Sequence, residues 1–247
     1  MPTFKITLAY DGTDFVGWQR QATGRSVQGL VEDALTHLAG SEVAVAGAGR
    51  TDAGVHALGQ VASFSLERII DAAVVARALN ARLPPTVRVT AAECVADGFH
   101  ARFGARSKTY RYRIWNARLA SPFELRYAWH VFAPLDREAM DRAARLLEGA
   151  HDFAAFQTTG GSVRTTARVM TESRISAPTA DLITYDITGN GFLRYMVRAI
   201  VGTLVEVGRG QRGPESLAAV LESRDRGQAG PTAPPEGLFL VGVEYGA

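Results

Sequence analysis

The chain has 247 residues, 47% of them hydrophobic, and a formal net charge of only +2. That length supports one large domain or two smaller ones, and no apolar run is long enough to span a bilayer. A single cysteine, Cys94, excludes an internal disulfide and any multi-cysteine zinc site. The start, Met1-Pro2-Thr3-Phe4-Lys5, has no apolar core of a secretory signal, so a soluble, cytoplasmic protein is expected.

Phe4, Ile6, Leu8 and Tyr10 alternate with polar or small residues, the pattern of a half-buried strand stopped by Asp11-Gly12. Ser26 is placed to cap a helix carrying Val27, Leu30, Val31, Ala34, Leu35 and Leu38 at helical spacing, with Gly40 as its stop. A glycine-rich turn follows at Gly47–His56, then a strand from Gln60 to Leu66. A helix is predicted over residues 71–80, closed by Leu83-Pro84-Pro85, and a strand from Val87 to Val95.

A second half begins near Ala105, dividing the chain into 1–104 and 105–247. Lys108 to Trp115 has the β-branched and aromatic character of a strand. Leu135-Asp136 opens a helix with Met140, Ala143, Ala144 and Leu147 on one face. Thr166–Ile175 and Leu182–Ile187 read as a strand pair. Leu193, Met196, Val197, Ile200, Val201, Leu204 and Val205 form the most periodic helix, ended by Gly208. A short helix near Leu217–Leu221 and a terminal strand over Gly237–Tyr245 complete the chain. Strands without regular β-α alternation argue against a doubly wound parallel sheet. The expected class is α+β: two similar halves forming a largely antiparallel sheet with helices packed on it.

Three motifs bear on chemistry. Gly47-Ala48-Gly49-Arg50-Thr51-Asp52-Ala53-Gly54-Val55-His56 sets a carboxylate on a glycine turn two residues from a guanidinium. A neighbouring cation keeps a buried acid ionised and available as a nucleophile. Arg50 is close in sequence; Arg198, on the periodic helix, is close only if the fold brings it there. Asp and Gly are also ordinary residues of solvated turns. The second motif is a window without acids between Asp97 and Glu124, where Arg102, Arg106, Lys108, Arg111, Arg113 and Arg118 interleave with Phe99, Phe103, Tyr110, Tyr112 and Trp115. Positive charge suits a phosphate backbone and aromatic faces suit unpaired bases. All but two of the 27 basic residues are arginine, which fits phosphate contacts and equally a GC-rich genome. Third, Gly208-Arg209-Gly210-Gln211-Arg212-Gly213 has the spacing of a dinucleotide loop but follows a helix, so it reads as a helix stop. No P-loop, no G-x-S-x-G and no ligand-spaced histidine pair occurs, and no metal site is expected. His151-Asp152 reads as a structural feature after a helix end.

The blocks Tyr10-Asp11-Gly12-Thr13, Gly17-Trp18-Gln19, Ser26-Val27-Gln28, Gly47–Ala57, Phe99-His100-Ala101-Arg102-Phe103, Tyr110-Arg111-Tyr112, Gly149–Phe153, Met196-Val197-Arg198 and Gly237–Leu240 occur in an order that resembles the tRNA pseudouridine synthase A family. The likeness runs almost end to end and implies a central RNA-binding cleft. It implies an isomerase that turns uridine into pseudouridine in the anticodon stem-loop of tRNA, without a cofactor and as a homodimer. By resemblance, Asp52 is the catalytic aspartate, Arg198 pairs with it, and Arg50 is the guanidinium beside it. Tyr110 stacks on the target uracil and Leu240 lines the pocket. Phe99, His100, Ala101, Arg102 and Phe103 bind RNA, and Arg164 marks a second tRNA contact in a loosely matched loop. The implied reaction cuts the bond from ribose C1′ to N1, turns the base and rejoins it through C5. Attack of Asp52 at C1′, attack at C6 and abstraction of a ribose proton all stay open. A non-catalytic RNA-binding protein on the same scaffold, and more remotely an aspartyl-intermediate hydrolase, are the competing readings.

Overall fold

Local signals set most of the elements. In a computed structural model, which describes residues 1–158 and 165–246, these are β1 (Thr3–Tyr10), α1 (Val27–Ala39), β2 (Ala46–Gly47), β3 (His56–Ser65), α2 (Ala72–Arg82), β4 (Val87–Val95), β5 (Ala105–Trp115), β6 (Trp129–His130), α3 (Arg137–Arg145), β7 (Gly149–Asp152), β8 (Ala167–Ser176), β9 (Leu182–Gly189), α4 (Met196–Gly208), α5 (Ser216–Ser223) and β10 (Leu238–Tyr245). The class is α+β with mostly antiparallel strands, as expected. Among the described residues no helix is long and apolar enough to cross a membrane.

The chain divides into two units, Met1–Arg106 with Phe239–Ala247, and Ser107–Leu238. In the first unit β1 is flanked by antiparallel β3 and β4, and β3 also pairs with β2 and, in parallel, with β10. Phe4, Ile6 and Leu8 are fully buried, as period-two alternation requires. Helix α1 begins where Ser26 Oγ accepts the Gly29 amide at 3.2 Å and ends at Gly40, whose φ of 78° only glycine adopts without strain. Helix α2 is capped by Asp71, which accepts the Ala73 amide at 2.7 Å. The two helices pack together, and α2 lies on β4.

In the second unit β9 joins antiparallel β5 and β8, β7 follows on β8, and β6 runs parallel to β5. Helix α3, capped by Asp136 on the Ala139 amide at 2.9 Å, packs on β8 and α4 through Met140, Ala143 and Ala144. Its mixed face matches the spacing read from the sequence.

Three differences from expectation have local causes. His151-Asp152 does follow a helix end, but residues 149–152 form a strand that the sequence does not predict, β7, and His151 Nε2 sits 2.8 Å from the Glu148 carbonyl. Helix α4 starts at Met196 instead of Leu193, because Tyr195 has a left-handed φ of 60°. Strand β3 starts at His56, four residues before Gln60, since the turn runs directly into the sheet. The glycine-rich stretch after α4 is a helix stop: Gly208 ends the helix, Gly210 has φ 70° and the Gln211 amide returns to the Glu206 carbonyl at 3.0 Å.

Buried phenols make the fold sensitive to alkali. Burial pushes the Tyr10 phenol up to about 12, against hydrogen bonds with Thr51 and Gln60 that favour its ionised form. Burial raises Tyr112 and Tyr185 as well. A raised acid pKa gives stability that is complete below the ordinary phenol value and lost as pH climbs through the folded one. For Tyr10 the loss between pH 10 and 12 is about 3 kcal/mol. Tyr10→Phe is expected to unfold in urea with a shallower fall in stability across that range than the parent. An equal slope would contradict it.

Candidate active site

The first unit carries Asp52, Arg50 and Leu240. Asp52 opens a β-turn: its carbonyl accepts the Val55 amide at 3.1 Å, and Gly54 in the third position has φ 78°. The loop between β1 and α1 lies directly on this turn. A Cβ at Gly12 would sit 2.0 Å from the Val55 oxygen, and one at Gly17 2.5 Å from the Thr51 oxygen. Those approaches are open only to glycine. The Trp18 amide donates to the Thr51 carbonyl at 3.1 Å and the Gly54 amide to Phe15 at 3.3 Å.

Behind the turn lies a buried polar network. The Tyr10 hydroxyl and Thr51 Oγ1 are 2.9 Å apart, and Gln60 Nε2 donates to the Gly49 carbonyl at 2.9 Å. All three side chains are buried. They tie Gly49 and Thr51 to β1 and β3, so Asp52, itself half-buried, sits on a fixed backbone. His56, one residue past the turn, is buried; the Gly12 amide donates to its Nδ1 at 3.0 Å and its ring stacks on Phe239 at 4.6 Å. Next to Phe239, Leu240 is fully buried and registers beside Ala57.

Arg50 is exposed, yet its Nε donates to Gln19 Oε1 at 3.1 Å. Gln19 Nε2 donates to Gln28 Oε1 at 2.6 Å, which links the guanidinium back to α1. A glutamine chain of this kind steers a long side chain that solvent would otherwise leave free.

The segment Phe99–Phe103 separates into anchors and a tip. Ala101 is buried, donates its amide to Ser63 Oγ at 3.0 Å and accepts from the Tyr245 hydroxyl at 2.7 Å. Phe99 packs on the Tyr245 ring at 5.0 Å. His100 Nδ1 accepts the Arg102 and Phe103 amides, leaving the ring proton on Nε2. Phe103 is 77% exposed, with the Arg102 guanidinium 5.6 Å from its ring centroid. Arg164 lies outside the described residues.

The second unit carries Tyr110 and Arg198. Tyr110 is buried on β5, edge-on to Phe192 at 4.8 Å. Arg198 lies in the first turn of α4. Its Nε donates to the Ala233 carbonyl at 2.7 Å, and the Ala233 amide returns to the Arg198 carbonyl at 3.0 Å. Its guanidinium is 4.9 Å from the Tyr195 ring centroid.

The interleaving of arginine and aromatic residues over 110–115 is strand alternation. Tyr110, Tyr112 and Ile114 point into the core, while Arg111 pairs with Asp186 at 2.7 Å and Arg113 with Glu124 at 2.6 Å. Part of the basic window is therefore neutralised by acids from elsewhere in the chain. Tyr10, Thr51, Gln60 and Gln19 escaped the sequence reading as site-supporting residues. A glutamine inside the apolar run Gln60–Phe64 was the available signal, because a buried amide needs partners. Nothing in the sequence marked Tyr195.

Comparison with known proteins decides the family. The sequence pattern of the tRNA pseudouridine synthase family matches residues 6–104 and 143–246. The chain belongs to that family. It is 49% identical over 247 residues to tRNA pseudouridine synthase A of Moorella thermoacetica, covering 99% of this chain and 100% of that one. The Myxococcus xanthus protein of the same name is 46% identical over 245 residues, at 99% and 92% coverage, and that of Streptococcus pneumoniae is 44% identical over 247, at 99% and 99%. Family members are isomerases. Among the described residues no cluster of three or more His, Cys, Asp or Glu is set to hold a metal ion.

Close packing at the two glycines is testable. Gly12→Ala or Gly17→Ala is expected to destabilise the protein by about 1–3 kcal/mol, the usual cost of overpacking, read as a lower urea midpoint. Parent-like midpoints for both would contradict the tight approach.

Proposed function

We propose that this protein converts uridine to pseudouridine in the anticodon stem-loop of tRNA, with Asp52 as its catalytic carboxylate. The observation that carries this reading is the half-buried Asp52 on a turn fixed by Gly12, Gly17 and the Tyr10–Thr51–Gln60 network. A rigid carboxylate spends little free energy on orientation at the reacting atom. The stretches matched by the family pattern span positions 52 and 198, and the relatives' matches extend over almost the whole chain.

In the proposed reaction the C1′–N1 bond breaks, the uracil turns, and a C1′–C5 bond forms. The proton at C5 is lost and N1 gains one, so the change is an isomerisation with no oxidant or leaving group. Asp52 acts at the sugar or the base, and Arg198 supports its negative charge. By the family resemblance Arg50 adds a second cation, Tyr110 stacks on the detached uracil and Leu240 gives the pocket an apolar wall. A target base inside a stem or loop must leave its stack, at a cost of a few kcal/mol. Contacts to the tRNA backbone through His100, Arg102 and Phe103 offset that cost, with Phe99 and Ala101 holding their segment in place; Arg164 adds a second contact. A cytoplasmic homodimer belongs to the same reading, through the family resemblance.

Asp52→Asn is expected to bind tRNA within a few-fold of the parent and to release no tritium above background from tRNA labelled at uridine C5. Substantial release would remove Asp52 from the chemistry. Arg198→Ala takes a cation from the carboxylate, which raises the pKa of Asp52. The acid limb of the rate profile then moves to higher pH; an unmoved limb contradicts the pairing. For Arg102→Ala, the slope of log affinity against log salt is expected to shrink by about 1, and an unchanged slope would place the phosphate contact elsewhere.

A further inference from the structure

Helix α4 begins in an unusual way. Tyr195 is its N-terminal boundary residue, with φ 60° and ψ 4°, and its hydroxyl caps nothing. Left-handed backbone crowds the Cβ of an aromatic residue; glycine or asparagine occupies such a position more easily. Only one other non-glycine residue among those described, Arg224, has a positive φ. The Tyr195 carbonyl accepts the Ala199 amide at 2.9 Å, so the strained residue opens the helical ladder directly.

The ring shows what the strain supports. Tyr195 and Arg198 stand three residues apart across the first turn, where side chains meet. The Arg198 guanidinium lies 4.9 Å from the ring centroid, within cation–π range. Its Nε is fixed to the Ala233 carbonyl at 2.7 Å. The aromatic ring, set against the face of the guanidinium, limits its rotation about that bond. The Tyr195 hydroxyl has its own neighbour: Arg194 Nη2 donates to it at 3.4 Å, and the Arg194 guanidinium is also 4.9 Å from the ring. On Tyr195 it is the ring face, with no help from the hydroxyl, that meets the Arg198 guanidinium.

We propose that Tyr195 is a positioning residue for Arg198, held in left-handed backbone so that its ring sets the direction of the guanidinium. Backbone strain kept at a functional site fits this role. The inference rests on the reading in which Arg198 acts at the catalytic carboxylate. It predicts that ring and backbone effects separate. Tyr195→Leu is expected to lower kcat about tenfold, the size of one partly desolvated cation–π contact, with KM little changed. Tyr195→Phe restores most of that loss. Tyr195→Gly relieves the backbone, so it melts at the parent temperature or above while kcat falls as in Tyr195→Leu. A residue needed only for folding would not lose turnover and keep stability together.

The deciding experiment is a double-mutant cycle in single-turnover assays on unmodified tRNA. In the Arg198→Ala background, Tyr195→Leu is expected to have no further effect on the rate. A full additional tenfold loss there, or parent-like kcat for Tyr195→Leu alone, overturns the positioning role. Parent-like kcat for Arg198→Ala instead overturns the catalytic reading of Arg198 on which the inference stands, so the two failures are told apart.

Discussion

Everything about the Asp52 turn depends on how closely two stretches of backbone meet. The loop from Asp11 to Trp18 touches the Thr51–Val55 backbone at Gly12 and Gly17, where no side chain fits. From the other side Tyr10 and Gln60 reach Thr51 and Gly49 out of the sheet. The turn is thus clasped between a loop and a polar network that is itself buried. Hydrogen bonds of this kind contribute modestly to net stability, but leaving one of their groups unmatched in the interior is costly. That asymmetry favours the conformation of residues 49–55 in which the Tyr10 hydroxyl meets Thr51 Oγ1 and Gln60 Nε2 meets the Gly49 carbonyl.

The second unit solves a comparable problem by different means. Arg198 is held by a carbonyl from the segment before β10 and by the face of an aromatic ring. Arginine suits this, since its planar head takes a hydrogen bond at its edge and a ring on its face. The same unit shows how strand alternation sorts chemistry. On β5 the tyrosines fill the core, and the arginines between them find acids on β9 and in the segment between β5 and β6. The basic character of that stretch is consequently smaller on the surface than in the sequence. Its exposed share in the first unit lies at Arg102 and Arg106, with the exposed Phe103 next to Arg102.

Legibility followed the range of the signal. Caps at Ser26 and Asp136, the Gly40 and Gly208 stops and the period-two strands were readable because each is written within a few residues. The two-residue strands β2 and β6 and the short β7 were not, since their existence depends on a partner strand and not on their own composition. Hydrophobic period continues through Leu193, three residues ahead of the start of α4, whereas the backbone at Tyr195 interrupts it. At the candidate site, Asp52 and Arg50 stood out through glycine context, but the residues that hold them did not. Tyr10, Gln60 and Gln19 look like ordinary strand and loop residues until tertiary contacts give them partners. Family resemblance supplied Arg198 and Tyr110, which no local pattern singles out as chemical.

The central claim is that a carboxylate fixed in this way remakes a base–sugar bond in tRNA. Its most direct test is to incubate the purified protein with unmodified tRNA transcript and map pseudouridine by carbodiimide-blocked reverse transcription. New stops are expected only at uridines of the anticodon arm. A transcript that stays free of stops under conditions where the protein binds it, or stops only outside that arm, would contradict the account.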